Sequence, residues 1–462
     1  MRFSPIASGA AALAIATAGC ASAGASGPGS LDGAATLVPA NAVAFVAARS
    51  DLSASRWHGL GKLALKQLPG WGADLQAVAR DEIDLAVLPG EKTVVFLQPS
   101  DRAKLAALAK KHHLVQRATG GWTAVAASEA ALAAVASATS HLATDARFVA
   151  AMNRLPGDAL MRAYARGAEM SRLLEAIPGQ LQTRALPPRA KFRLQRDQKG
   201  APTYGLARQE FRWLAVALSS SGDGLKLQGF APSAGLAAAG PPRFAAVPVA
   251  PYAAALVDEI PSGALAVVDF QVPRGGFELM PKLPVQLGRL LGPDLRDLPN
   301  ELDTVLGGES AVYVRAGLPV PEITLVTQPA DTTAASTTLD ELLASLPKGS
   351  PLERFPLHRA VIGGQLVVST TQRGIDDFRS GGPKLSADPA FLEAKKQSGM
   401  PDETTGFAYA NARDALPLLA LAGVTLPAGL PELGTVAVFG AVFGGGTATG
   451  STFTAYVGLP SS

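Results

Sequence analysis

The sequence predicts an α+β fold: two tandem copies of a module with a largely antiparallel sheet and helices packed on one face. Three observations predict it. Four pairs of sequence blocks recur in the same order along the chain. Strand-like runs mostly follow one another through short turns, which favours antiparallel pairing. Of 462 residues, 48% are hydrophobic and 17% charged, enough apolar side chains for sizeable cores and the reverse of a disordered composition.

Self-similarity carries most of this reading. Val38-Pro39-Ala40-Asn41-Ala42-Val43-Ala44-Phe45-Val46 recurs as Ile260-Pro261-Ser262-Gly263-Ala264-Leu265-Ala266-Val267-Val268. Phe96-Leu97-Gln98-Pro99-Ser100-Asp101 recurs as Val326-Thr327-Gln328-Pro329-Ala330-Asp331. Leu142, Asp145 and Phe148 repeat the spacing of Leu385, Asp388 and Phe391; Leu155-Pro156 before Ala163-Tyr164-Ala165 matches Met400-Pro401 before Ala408-Tyr409-Ala410. The separation between partners widens steadily, as insertions in the second copy would produce.

The elements follow in order. Strands are expected at Ala42 to Ala48 and Ala264 to Phe270, and an amphipathic helix at Leu60 to Leu68. Further strands are expected at Leu85 to Leu88 and Thr93 to Gln98, with partners at Ala311 to Arg315 and Ile323 to Thr327. Helix Asp101 to Lys111 has Asp at its start and Lys at its end, complementing the helix dipole. Thr123 to Ala127 and Gln365 to Ser369 read as strands, each before a helix, Glu129 to Ser137 and Gln372 to Arg379. Asp145 and Asp388 read as N-caps, since Asp accepts the free N–H groups of a first turn. Phe148 and Phe391 are expected in equivalent buried sites near Tyr164 and Tyr409. Each copy closes on a hairpin, turned at Ser221-Gly222-Asp223-Gly224 in the first and Gly444-Gly445-Gly446 in the second.

The N-terminus decides location. Arg2, an apolar run from Ile6 to Ala18 and the small residues before Cys20 read as a signal peptide over residues 1–20. The run is too short to span a bilayer. Cys20 is the only cysteine, and a thiol directly after Ala18-Gly19 is similar to a lipobox cysteine, although Thr17 stands where an aliphatic residue is usual. Cys20 is therefore the expected lipidation site; the alternative is ordinary cleavage after a triplet such as Ala21-Ser22-Ala23, giving a secreted protein. Residues 21–35 read as a flexible tether, 36–232 as the first repeat, 233–255 as a linker and 256–460 as the second repeat. The run Ala415 to Phe443 is apolar, but Pro417, Pro427 and Pro431 break it, so it reads as buried protein and not as a membrane span. A basic segment, residues 187–208, reads as a solvated face or a contact for anionic headgroups or wall polymers.

Chemistry is hard to find. A net charge of +3 is too small to point to nucleic acid. The five histidines, His58, His112, His113, His141 and His358, lack zinc-ligand spacing, so no metal or cofactor is expected. His112 and His113 close a Lys-rich helix. Ser345-Leu346-Pro347-Lys348 fits SxxK, but Pro347 would break the helix that sets Lys under Ser. Gly59-Leu60-Gly61 lies too far past its strand for a dinucleotide cradle. Acidic groups such as Asp81-Glu82-Asp84 and Asp376-Asp377 read as caps or solvated residues. No catalytic residue is assigned, and an enzyme is not expected.

The Val-Pro-Ala-x-Ala opening, the strand ending in Gln-Pro-x-Asp, Leu385-Ser386-Ala387-Asp388-Pro389, and Met400-Pro401-Asp402 before Phe407-Ala408-Tyr409-Ala410-Asn411 resemble an exported bacterial family known as domain-of-unknown-function family 3352. The resemblance covers about residues 36 to 460 and implies export and architecture, without an activity, cofactor or catalytic residue. The expectation is a non-enzymatic envelope lipoprotein, anchored through its lipid at the outer face of the cytoplasmic membrane, binding an envelope protein or other ligand. The alternatives are a carrier of an apolar or lipid ligand and a wall-active hydrolase.

Overall fold

The structure is a computed structural model that describes residues 31–51, 55–57, 74–75, 77–90, 92–167, 212–232, 250–272, 298–317, 321–345, 356–421, 434–445 and 448–459. The signal peptide with Cys20, the expected helix Leu60 to Leu68, the basic segment 187–208 and most of the linker 233–255 lie outside these residues.

The protein is a mixed α and β fold built on a large antiparallel sheet, with eight α-helices among the described residues. Strands β1 (Ala44–Arg49), β2 (Ala79–Leu88), β3 (Lys92–Pro99), β4 (Val115–Thr119), β5 (Trp122–Ala126), β6 (Met161–Arg166), β7 (Trp213–Ser221) and β8 (Gly224–Pro232) precede the short β9 (Tyr252–Ala253). Then come β10 (Ala266–Gln271), β11 (Glu309–Arg315), β12 (Glu322–Thr327), β13 (His358–Ile362), β14 (Gln365–Ser369), the short β15 (Glu403–Thr404), β16 (Gly406–Asn411), β17 (Thr435–Gly445) and β18 (Ala448–Gly458). Sixteen of them form one sheet in the order β13-β14-β12-β11-β10-β16-β17-β18-β8-β7-β6-β1-β2-β3-β5-β4. The hairpins β7–β8 and β17–β18 meet at its centre, where Phe453 faces Gly229 across an antiparallel ladder.

Helices α1 (Arg102–Lys111), α2 (Glu129–Ala136), α3 (Ala146–Met152), α4 (Leu298–Leu306), α5 (Thr332–Ala344), α6 (Gln372–Arg379), α7 (Pro389–Ser398) and α8 (Ala412–Leu421) connect the strands. They cover both faces of the sheet, where one was expected. Val94 and Phe96 on β3 and Ala124 on β5 pack with Leu132 of α2, whereas Val95, Leu97 and Val125 pack with Leu105 of α1. Val367 on β14 packs with Ile375 of α6, whereas Leu366 and Val368 pack with Val305 of α4 and Ala335 of α5. The strand Val94-Val95-Phe96-Leu97 carries apolar residues at every position, the pattern of a strand buried on both faces.

The caps form as expected. Asp145 Oδ1 accepts from the N–H groups of Arg147 and Phe148 at 2.9 and 3.1 Å, and Asp388 Oδ1 from Ala390 and Phe391 at 2.9 and 3.2 Å. Phe148 meets Tyr164 edge-on at 5.3 Å between ring centres, and Phe391 meets Tyr409 edge-on at 5.3 Å.

Three further expectations change. Residues 31–35, assigned to the tether, belong to the fold: Leu31, Ala34 and Ala35 are buried and Gly33–Thr36 forms a 3-10 turn. Pro417 lies inside α8, costing one helical hydrogen bond without ending the helix. Leu418, in the run read as buried, is 39% exposed. No helix among the described residues is long and apolar enough to cross a membrane.

Candidate functional site

Glu82 and Asp84 are two apart on β2, so their side chains leave the same face of the strand. Both reach the 3-10 turn that opens the fold. Glu82 Oε1 accepts from the N–H of Asp32 at 2.6 Å and of Gly33 at 3.0 Å; Asp84 Oδ2 accepts from the N–H of Ala34 at 2.9 Å. Asp32 has φ of 107°, a left-handed conformation costly for a residue other than glycine or asparagine. Its side chain is held by Arg162, whose Nη1 donates to Asp32 Oδ2 at 3.0 Å.

A second site of the same kind lies beneath the 3-10 turn Ala255–Asp258. Glu309 of β11 accepts from the N–H groups of Ala255 and Leu256 at 3.1 and 2.7 Å, and Tyr252 Oη donates to Asp269 Oδ1 at 2.6 Å. Here the second carboxylate comes from the neighbouring strand. Asp84 stands opposite Ala47 of β1, whereas Asp269 of β10 stands opposite Ala311 of β11.

In both couples one carboxylate oxygen, Asp84 Oδ1 or Asp269 Oδ2, is buried without a donor. Two carboxylates supply only acceptors, so the missing partner is a proton. Burial pushes Asp84 well above the carboxylate range, reinforced by the Glu82 charge beside it. Burial also pushes Asp269 up to about 7, with the Glu309 charge adding to it, and raises Glu309 itself. Each couple braces a 3-10 turn against the sheet, and burial favours the protonated form of its aspartate.

Arg162 and Arg166 share the face of Tyr164 on β6 and fasten residues 31–40 to α3. Arg162 is 2% exposed; besides Asp32 it donates to the carbonyls of Leu31 at 3.4 Å, Met152 at 2.6 Å and Leu155 at 3.1 Å. Arg166 donates to the carbonyl of Ala40 and, at 3.2 Å, to Asp145 Oδ2. The first turn and α3 are therefore tied together through β6.

Beside α3 is an open cleft of about 360 Å³. Ala146, Ala150 and Trp213 form its apolar lining, and Arg147 and Arg212 frame it. Elsewhere, on the face of β10, β11 and β12 beyond the reach of α4 and α5, Val268 is 48% and Ile323 42% exposed. Val312, half-buried, lies between them, paired with Val268 in the ladder and with Leu325 on its other side. This is an apolar strip three strands wide.

Of the residues singled out in the sequence, Glu82 and Asp84 converge beneath the first turn, where Asp84 is buried and not solvated; the others do not converge. Cys20 lies outside the described residues. His112 Nε2 pairs with Asp74 Oδ2 at 3.0 Å at the end of α1. Ser345 caps the end of α5, its hydroxyl donating to the Leu342 carbonyl at 2.8 Å. Asp376 meets Gln372 and Arg379 on the surface of α6, while Asp377 accepts from Arg315 at 2.7 Å. Among the described residues no group of three His, Cys, Asp or Glu side chains could hold a metal ion. The braces, Arg162 and the cleft were missed. A usable signal existed for Arg162 alone: in Met161-Arg162-Ala163-Tyr164-Ala165-Arg166, a buried Tyr164 places both arginines on its own face.

No family model and no curated protein matches the chain. Among solved structures, crystal form I of TP0453 aligns over 46% of this chain and 81% of that one, at 9% identity and a TM-score of 0.27. Crystal form III of TP0453 aligns over 72% and 91%, at 10% identity and a TM-score of 0.17. Likenesses at these scores carry no argument about fold or function.

Proposed function

We propose that the protein is a non-enzymatic cell-envelope lipoprotein, held by a lipid on Cys20 at the outer face of the cytoplasmic membrane, that binds a protein partner there. The observation that carries the binding reading is the apolar strip of Val268, Val312 and Ile323. Contiguous exposed aliphatic side chains on a sheet face cost solubility unless a partner covers them. The anchoring reading rests on the lone thiol after Ala18-Gly19 and on a fold that opens close behind it, braced by Glu82, Asp84 and Arg162.

Residues 36–232 and 256–460 are, in this reading, two copies of one module. Supporting it, the sheet order reads alike inward from either edge: β4-β5-β3-β2-β1-β6-β7-β8 and β13-β14-β12-β11-β10-β16-β17-β18. Glu82 on β2 and Glu309 on β11, and the twin Phe–Tyr contacts at β6 and β16, occupy matching places in that order, whereas Asp84 and Asp269 come from strands that do not correspond.

The test is cross-linking in the host envelope, purification from membranes and mass spectrometry of the intact protein. A diacylglyceryl thioether on an N-terminal Cys20 is expected, with a cross-linked partner that Val268→Asp/Ile323→Asp loses while remaining folded. An unlipidated N-terminus elsewhere would sink the anchoring; a partner retained by the double variant would sink the strip.

A further inference from the structure

We infer that the cleft between α3 and the start of β7 is a membrane-facing subsite for the anionic headgroups of phospholipids. This rests on the anchored reading above and adds a second contact with the same membrane.

The chemistry of the cleft fits such a group. Arg147 and Arg212 are exposed at its rim, and among the described residues neither has a carboxylate partner. Some other exposed arginines do: Arg117 pairs with Glu129 at 3.0 Å, and Arg379 with Asp376 at 3.3 Å. Guanidinium presents a planar fork matched to phosphate oxygens and is weakly hydrated. The apolar lining of Ala146, Ala150 and the Trp213 ring suits the glycerol and upper acyl region beneath a headgroup.

Position supplies the second argument. Residues 31–40 lie along α3, pinned by Arg162 towards its C-terminal end and by Arg166 at its start. A helix of this length spans about 10 Å, so the cleft lies close to Leu31. The stretch from Cys20 to Leu31 can span at most about 40 Å. An anchor at Cys20 therefore keeps the α3 side of the molecule near the headgroups. Each basic side chain brought to an anionic surface gains about 1 kcal/mol, close to a fivefold change in partition.

The experiment uses the full mature chain carrying Cys20→Ala, so that no acyl chain contributes. Partition is measured by co-sedimentation with vesicles of phosphatidylcholine alone and of phosphatidylcholine mixed with phosphatidylglycerol. Binding is expected only to the mixed vesicles and is expected to weaken as salt rises. Arg147→Gln and Arg212→Gln should each lower it about fivefold, whereas Arg117→Gln, an exposed arginine outside the cleft, should leave it unchanged. Circular dichroism checks that each variant is folded. Absent binding, equal binding to both vesicles, or binding retained by the Arg147→Gln/Arg212→Gln pair overturns the inference, even where Cys20 carries its lipid. If native Cys20 proves unlipidated, charge-dependent binding through these arginines still upholds the subsite while the anchoring reading fails.

Discussion

Among the described residues, Arg162 stands alone among the charged side chains in the number of groups it satisfies from a buried position. Three carbonyls and one carboxylate depend on it. Replacing it removes one partner from a buried ion pair and takes a donor from each of those acceptors, of which the Met152 carbonyl keeps the Leu155 N–H, so Arg162→Met should cost roughly 3–5 kcal/mol, read by urea denaturation. The carboxylate braces predict a pH dependence of the opposite sense to acid denaturation. Asp269 titrates at about 7 in the folded state against 3.8 in an unfolded chain, so the folded state binds the extra proton between those values. Its contribution is full below the unfolded pKa and is lost as pH rises through the folded one, at roughly 1 kcal/mol per pH unit. Stability should fall from about pH 4 to about pH 7. Asp269→Asn, whose amide donates where the extra proton did, should flatten that slope; an unchanged slope would remove the brace as its source. Arg162 was within reach of sequence reasoning through its parity with Tyr164. The braces were not, because Asp269 and Glu309 meet only once β10 and β11 pair.

At the level of elements, two kinds of interaction recur at Leu-x-x-Asp-x-x-Phe, and their magnitudes differ. Losing an N-cap costs about 1 kcal/mol, and losing a buried aromatic ring about 3–5 kcal/mol. Phe148, 3% exposed, also meets Phe45 edge-on at 5.6 Å; Phe391, 4% exposed, meets Phe407 at 5.7 Å. Thermal denaturation should therefore rank Phe148→Ala and Phe391→Ala well below Asp145→Ala and Asp388→Ala. Equal effects of ring and cap would mean that these helices are held by their first turns and not by their buried faces. Elements with strong local signals fall within a residue or two of expectation, Gln365–Ser369 and Gln372–Arg379 among them. The two edge strands were not anticipated. Val-Gln-Arg-Ala-Thr and His-Arg-Ala-Val-Ile mix polar and apolar residues on both faces, and only pairing with β5 and β14 makes them strands.

For the whole molecule, the join between β8 and β18 decides whether there is one sheet or two. Gly229 lies against the Phe453 ring across that ladder, where any side chain would collide, whereas Gly381 faces open space. Gly229→Val should cost about 1–3 kcal/mol or more and separate the calorimetric unfolding of the strands on either side; Gly381→Ala should do neither. One unaltered transition in Gly229→Val would mean that the halves are coupled elsewhere, for instance where the Ser221 hydroxyl donates to the Gln397 carbonyl at 2.9 Å. The sequence by itself determined the mixed α and β character, most strand positions, the caps at Asp145 and Asp388 and the Phe–Tyr contacts. These follow from period, turn chemistry and local hydrogen bonding, which act over a few residues. Tertiary structure alone decided that helices cover both faces of the sheet, that residues 31–35 are core, that Asp84 and Asp269 are buried beside a second carboxylate, and that Arg147 and Arg212 frame one cleft beside Trp213. Each depends on which distant segments meet, and the free energy of such meetings comes from burial and long-range pairing, which no local pattern encodes.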